Sequence, residues 1–427
     1  MKAFFRIAPV ILSITILCVL LLANSVYMPA TFSERVLGFA RGLEFDYAAW
    51  EWDAIFLKLK QSALAPQRYL SAEGQTAAVE ACMALIDELD QTQREIEQIY
   101  ADPQISNPQA SAHALVLKQE SLQKRRRGLE PICESILQAQ ASQALAEMGL
   151  ALGGQTLPPL LYHVTPLPLA LIVSPRDVIR QDAIVTLLPD LTLEQITMLE
   201  QRVERSLGVS ALVVEIGGLG TYPPMVASSS NLAWVSDTIV HEWTHNYLNF
   251  RPLGWNYSTS GELRTMNETT ASIVGGEVGR EVMWSYYPDQ VPALDYVERI
   301  APPAWMQTAA KRSQAFDYRA EMRATRIAVD SLLAEGKIEE AERYMEIRRQ
   351  FFWENGYQIR RLNQAYFAFH GAYADSPMGA AGRDPVGPAV RKLRADSDTL
   401  AEFLKQISWL ASFETLKLLT GEAAGAN

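Results

Sequence analysis

Residues 234–250 read Trp-Val-Ser-Asp-Thr-Ile-Val-His-Glu-Trp-Thr-His-Asn-Tyr-Leu-Asn-Phe. The run is apolar and helix-forming, and it contains His241-Glu242-Trp243-Thr244-His245, an H-E-x-x-H pattern. On a helix, positions i and i+4 differ by only about 40° of rotation, so the two imidazoles project side by side. Glu242 lies about 100° further round, placed to reach a water on a shared ion without ligating the ion. Two nitrogen ligands and a carboxylate proton acceptor are the parts that metal-assisted hydrolysis requires. With five His in 427 residues, chance supplies roughly 0.004 such matches. Ser236 and Asp237 stand before the apolar run, and Glu242 is the one charged residue between the ligands.

Two His do not complete a catalytic metal site, which takes three protein ligands and an open position. The third His of an H-E-x-x-H-x-x-G-x-x-H pattern would fall at position 251, which is Arg251, and His370 is far downstream. A carboxylate is therefore the natural third ligand. Asn267-Glu268-Thr269-Thr270-Ala271-Ser272 follows a polar loop, 250–265, and opens a small-residue helix. Glu268 has three competitors. Glu262 lies in a Gly/Ser-rich loop. Glu277 is nine residues on, so a helix that presents Glu268 to a metal turns Glu277 away. Glu281 follows one turn later, beyond a Gly-rich stretch, 275–279, where a helix is not expected to hold.

The pairing H-E-x-x-H with N-E-x-x-A resembles the signature of the gluzincins, the group holding the thermolysin-like peptidases and the zinc aminopeptidases. The similarity covers roughly residues 165–285 and rests on those two motifs. The 22 residues between His245 and Glu268, 246–267, make a slightly longer gap than is usual there. The resemblance implies a zincin catalytic core that hydrolyses peptide bonds. It implies Zn2+ held by His241, His245 and Glu268, with Glu242 as the general base. Gluzincins commonly stabilise the oxyanion with a His or Tyr from a downstream helix. Here a helix expected from Ile338 through Gly356 to about Tyr373 would put Asn363, Tyr366, His370 and Tyr373 on one face. His370 and Tyr373 are the candidates, with Tyr366 behind; the competing reading is a plain packing face. The G-x-M-E-N motif of the aminopeptidases is not seen, so exopeptidase action is unsupported.

Around the motif the pattern alternates. Leu169–Val173, Ala183–Leu188 and Val209–Ile216 read as buried strands, and residues 192–207 as an amphipathic helix ending at Gly208. The Gly/Pro-containing segment 217–228 is a candidate sheet edge above the cleft, where an extended peptide could add as a strand; an ordinary loop is the alternative. Upstream, 76–101 and 111–147 read as two helices, the second kinked near Pro131, with a turn in Asp102–Pro108. Cys82 and Cys133 would sit level across that hairpin and are expected to form a disulfide, as an oxidising compartment allows, with two buried thiols as the alternative. Downstream, helices are expected over about 314–335 and 389–419, with a Gly/Pro-rich lid at Gly379–Pro388.

Lys2 and Arg6 precede an uncharged run, Ile7–Ala23. This is just long enough for a short membrane span, and it is read as an uncleaved anchor, with a removed signal peptide as the alternative. Either way the basic flank stays inside and the body is exported. The net charge of −11 argues against a nucleic-acid partner. The expected class is α+β and predominantly α-helical, a small mixed-sheet zincin core flanked by N- and C-terminal helical regions. The expected divisions are 1–26 (anchor), 27–155 (helical, with the long hairpin), 156–287 (catalytic core) and 288–427 (helical). The partners expected are a peptide or protein substrate and, through the N-terminus, the membrane. The rival readings are a non-enzymatic helical scaffold with a vestigial core, and a zinc hydrolase of a non-peptide substrate.

Overall fold

A computed structural model describes residues 31–101, 107–216, 218–291, 316–357, 359–371 and 385–421. The apolar run 7–23, most of the hairpin turn, Tyr373 and residues 379–384 of the Gly/Pro-rich segment lie outside these. Among the described residues no helix is long and apolar enough to cross a membrane. The protein is α+β and predominantly helical.

The chain opens with α1 (Phe32–Ala40) and α2 (Tyr47–Leu64), started by a Thr31–Glu34 capping box and by Asp46. α3 (Ala72–Ala101) and α4 (Pro108–Glu147) form the expected antiparallel hairpin, and α4 runs unbroken through Pro131. Cys82 and Cys133 do meet across it, but the expected disulfide is not formed: both are free, buried thiols, and Cys133 Sγ donates to Ala78 O at 3.4 Å. α2 is clamped to α4 by a buried charge cluster. Lys58 Nζ donates to Gln61 Oε1 at 2.7 Å and to Glu134 Oε2 at 2.5 Å. Glu134 Oε1 accepts from the Val164 backbone N–H at 2.7 Å and bonds His163 Nδ1 at 2.8 Å. Burial pushes Glu134 upward, but Lys58 and His163 outweigh it and hold the carboxyl below its usual range.

After the short β1–β2 hairpin (Ala151–Leu152, Gln155–Thr156) comes β3 (His163–Val164), then β4 (Leu169–Pro175), β5 (Ala183–Leu187), α5 (Leu193–Leu207) and β6 (Val209–Val214). β4 is the centre of an antiparallel sheet of order β5-β4-β6 and is buried on both faces. Its Leu169, Leu171 and Val173 pack on α1 and α5, while Ala170 and Ile172 face the C-terminal helices. β7 (Gly218–Leu219) and β8 (Met225–Val226) build a second sheet with β3, in the order β3-β8-β7. β8 is parallel to β3 and antiparallel to β7. With the β1–β2 hairpin the described strands form three small sheets, of which β3-β8-β7 is the mixed one, and the chain changes sheet after β6.

The motif helix is α6 (Leu232–Leu248), followed by the single turn α7 (Pro252–Trp255) and by α8 (Gly261–Tyr286). α8 corrects two expectations. It begins at Gly261, capped by Ser260, so Glu262 lies in its first turn and not in a loop. It also continues through residues 275–279. The C-terminal part holds α9 (Tyr318–Ala334), α10 (Ile338–Glu354) and α11 (Gln364–His370), then α12 (Val386–Ala395), α13 (Leu400–Ile407) and α14 (Phe413–Thr420). The long helix expected from 338 to 373 is therefore two helices. α10 stops at Gly356, whose φ of 89° is left-handed, and Asn363 caps a new start. The expected helix 389–419 is likewise broken, because Thr399 and Ser412 each cap a fresh helix. α6, α8, the hairpin and α12–α14 share the largest apolar core.

Candidate metal centre

The site is built where α8 crosses α6. α6 is fixed from several sides: Asn231 Oδ1 accepts from Trp234 N at 3.1 Å, and the buried Trp243 donates its Nε1–H to Pro158 O at 2.8 Å. Gly275 and Gly279 let α8 approach closely. A Cβ on Gly275 would lie 2.3 Å from Asp237 Oδ1 and 2.8 Å from Asp237 O; one on Gly279 would lie 2.9 Å from Asp237 N. Seven residues, about two turns, separate Gly275 from Glu268, so the same face of α8 that touches α6 there presents Glu268 to the histidines.

His241 and His245 stand one turn apart, their Nε2 atoms 3.1 Å from each other. Glu268 Oε2 is 3.5 Å from His241 Nε2 and 3.6 Å from His245 Nε2. Two atoms bonded at about 2.05 Å to one tetrahedral ion are about 3.3 Å apart, so this triangle has the size of three ligands of a single metal ion. The chemistry of the donors agrees. His245 Nδ1 bonds Asn267 Oδ1 at 2.8 Å, and the Asn267 amide nitrogen is turned to Leu253 O at 3.4 Å. An amide oxygen only accepts, so Nδ1 keeps a proton and Nε2 is the atom that can ligate, a cation taking the place of any proton it holds. Glu268 Oε2 is buried and accepts no hydrogen bond. Two imidazole nitrogens and a carboxylate oxygen without a hydrogen-bond partner converge here, a donor set that could hold a metal ion.

The same field acts on the titrating groups. Burial would lower His245, but Glu268, Glu242 and Asn267 outweigh it and lift it to about 9. Burial would raise Glu268, and the two histidines reverse that and hold it well below the carboxylate range. Glu242, buried at 6% exposure, is raised by desolvation against the pull of the histidines. Asp237, one turn before His241, is raised by burial to about 7.

No known family model, curated protein or solved structure matches the chain.

Glu242 stands beside the three candidate ligands and is not part of their group. Its carboxylate lies against β7, where a Cβ on Gly218 would be 2.1 Å from Glu242 Oε1; one on Gly220 would be 2.9 Å from His245 Cβ. The segment expected as a sheet edge thus includes a true edge strand, β7, whose outer side has no strand partner among the described residues. Asn246 on α6 ties it down, donating to Thr221 O at 2.9 Å.

The competing acids are elsewhere. Glu277 is bidentate to Arg394, at 2.8 and 2.9 Å, and Glu281 accepts from Ser285 Oγ at 2.9 Å. Glu262 lines a cavity of about 1000 Å³ that runs from Tyr257 past Arg264 to Arg326. His370 packs against Tyr366 and Phe369, with ring centroids 4.2 and 5.1 Å away. Burial and the Arg264 charge lower it to about 4, so it is neutral. Tyr366 OH is engaged with Tyr318 OH at 3.0 Å. Tyr257 is the residue that sequence reasoning missed. Its hydroxyl donates to Glu268 Oε1, and its ring meets His245 edge-on at 6.2 Å. It sits in an irregular loop, where no periodicity marks it.

Proposed function

We propose that the protein is a zinc-dependent peptidase of gluzincin type, anchored to a membrane by its N-terminal segment with its body outside the cytoplasm. The observation that carries this reading is the convergence of His241 Nε2, His245 Nε2 and Glu268 Oε2 beside a non-ligating Glu242. Zinc, when bound by those three, supplies Lewis-acid polarisation of a carbonyl and acidifies a water. Glu242 accepts a proton from the attacking water and delivers it to the leaving amine; its raised affinity for protons suits both halves of that task. Asn267 keeps His245 in the tautomer that ligates. The β7 edge, pressed against Glu242, is where an extended peptide chain would pair. His370 and Tyr373 stay the proposed sources of oxyanion stabilisation.

The test is a peptide-library digest by the metal-loaded protein, run beside Glu242→Gln with metal content measured in both. The expected result is a loss of about 10²–10⁴ in turnover with metal retained, the range for removing a general base. Full activity in Glu242→Gln sinks the mechanism. A metal-loaded wild type that cleaves no peptide favours the scaffold or the non-peptide hydrolase.

A further inference from the structure

α2 is built inside out. Its polar Lys58 and Gln61 are buried, at 2% and 7% exposure, while Trp52, Phe56 and Leu59 are exposed at 63%, 64% and 61%. Positions 52, 56 and 59 follow the i, i+4, i+7 spacing of a single helical stripe. Trp52 and Phe56 stack on each other, with ring centroids 6.1 Å apart, outside the folded body. Lys58 faces inward because Glu134 and Gln61 hold it, so the helix cannot roll to hide the stripe without stripping a buried carboxylate of its partner. Such an arrangement is costly in water and favourable where the outer medium is itself apolar.

We propose that this stripe of α2 lies in the interfacial layer of a lipid bilayer. Three further observations favour lipid over a second copy of the chain. The uncharged run Ile7–Ala23 ends eight residues before Thr31, a tether of at most about 28 Å. This keeps the start of the body beside any membrane the run enters. The three side chains leave about 400 Å² uncovered, half of the roughly 800 Å² per partner that a stable protein interface needs, whereas insertion needs no such minimum. The stripe is headed by Trp, the residue that settles at the membrane–water boundary, and Lys60 on its flank can extend to headgroup phosphates. The inference is independent of the metal centre.

Photo-crosslinking of the full-length chain in phosphatidylcholine vesicles tests it, with Phe56→p-benzoylphenylalanine and, as control, Leu117→p-benzoylphenylalanine on the exposed hairpin. Position 56 is expected to acquire a phospholipid mass adduct on irradiation, and position 117 none. A cross-linked dimer through position 56 would show that a second copy covers the stripe, and the proposal falls. Equal adduct yields at the two positions, or none at 56, overturn it as well.

Discussion

At His245 the far ring nitrogen decides what the near one can do. Asn267 Oδ1 accepts from Nδ1–H, which leaves Nε2 as the atom free to ligate, 3.6 Å from a Glu268 oxygen that has no hydrogen bond. Tyr257 acts on the other oxygen of Glu268. Its hydroxyl neutralises part of the charge that Oε2 does not carry and fixes the plane of the carboxylate. Tyr257→Phe should therefore weaken metal binding or activity about 10- to 100-fold, as loss of such supporting bonds does. Competition with a chelator of known affinity measures this, and an unchanged metal affinity would remove Tyr257 from the site. The juxtaposition of His241 and His245 was legible in the sequence because H-E-x-x-H is a local pattern, and helical geometry alone turns its spacing into a shared face. Glu268 was legible through the N-E-x-x-A element and the failure of its competitors. Tyr257 was not, because its contact comes from the path of a loop.

Among the elements, the α6–α8 crossing governs whether the ligands meet. Read for propensity, Gly275-Gly276-Glu277-Val278-Gly279 is a place for a helix to end. Propensity counts the backbone entropy of glycine and omits the close approach that glycine permits. The two adjacent glycines separate these effects. A Cβ at Gly275 meets Asp237 Oδ1 at 2.3 Å, whereas one at Gly276 meets nothing within 4 Å. Gly275→Ala should destabilise by about 1–3 kcal/mol through overpacking and loosen the metal with it. Gly276→Ala should stabilise by about 0.5–1 kcal/mol through helix propensity alone. Urea unfolding of both variants checks the pair, and equal effects of the same sign would mean that the crossing is not tight. The helix misread from 338 to 373 failed for the opposite reason. There Gly356 does end a helix, and so Asn363 became a cap instead of a member of the His370 face.

For the molecule as a whole, class and order of elements were readable, since long periodic helices and buried apolar strands announce themselves locally. The division of the described strands among three small sheets was not, because strand pairing is a long-range choice. What joins the C-terminal helices to the β5-β4-β6 sheet is also long-range. Glu200 of α5 is fully buried and bonded by Arg360, by Arg361 and by the Val213 N–H at 2.7 Å. Burial raises Glu200, and the arginines with the backbone N–H more than reverse it. Its folded value lies below the unfolded one of about 4.3, so the stability it adds is complete above that pH and is lost as pH falls further. Glu200→Gln should cost about 1–3 kcal/mol near neutrality, less than a fully buried pair because the arginines keep some water. It should also flatten the acid arm of the stability profile; urea midpoints from pH 7 to pH 3 measure both, and a variant with the wild-type profile would show the cluster to be idle. The central claim, that three side chains from two crossing helices hold one cation, is tested most directly by elemental analysis of the purified full-length chain. One equivalent of metal is expected in the wild type and in Glu242→Gln, and none in His241→Ala or Glu268→Ala. A wild type that takes up no metal when supplied with it, or a Glu268→Ala variant that keeps a full equivalent, would contradict the account.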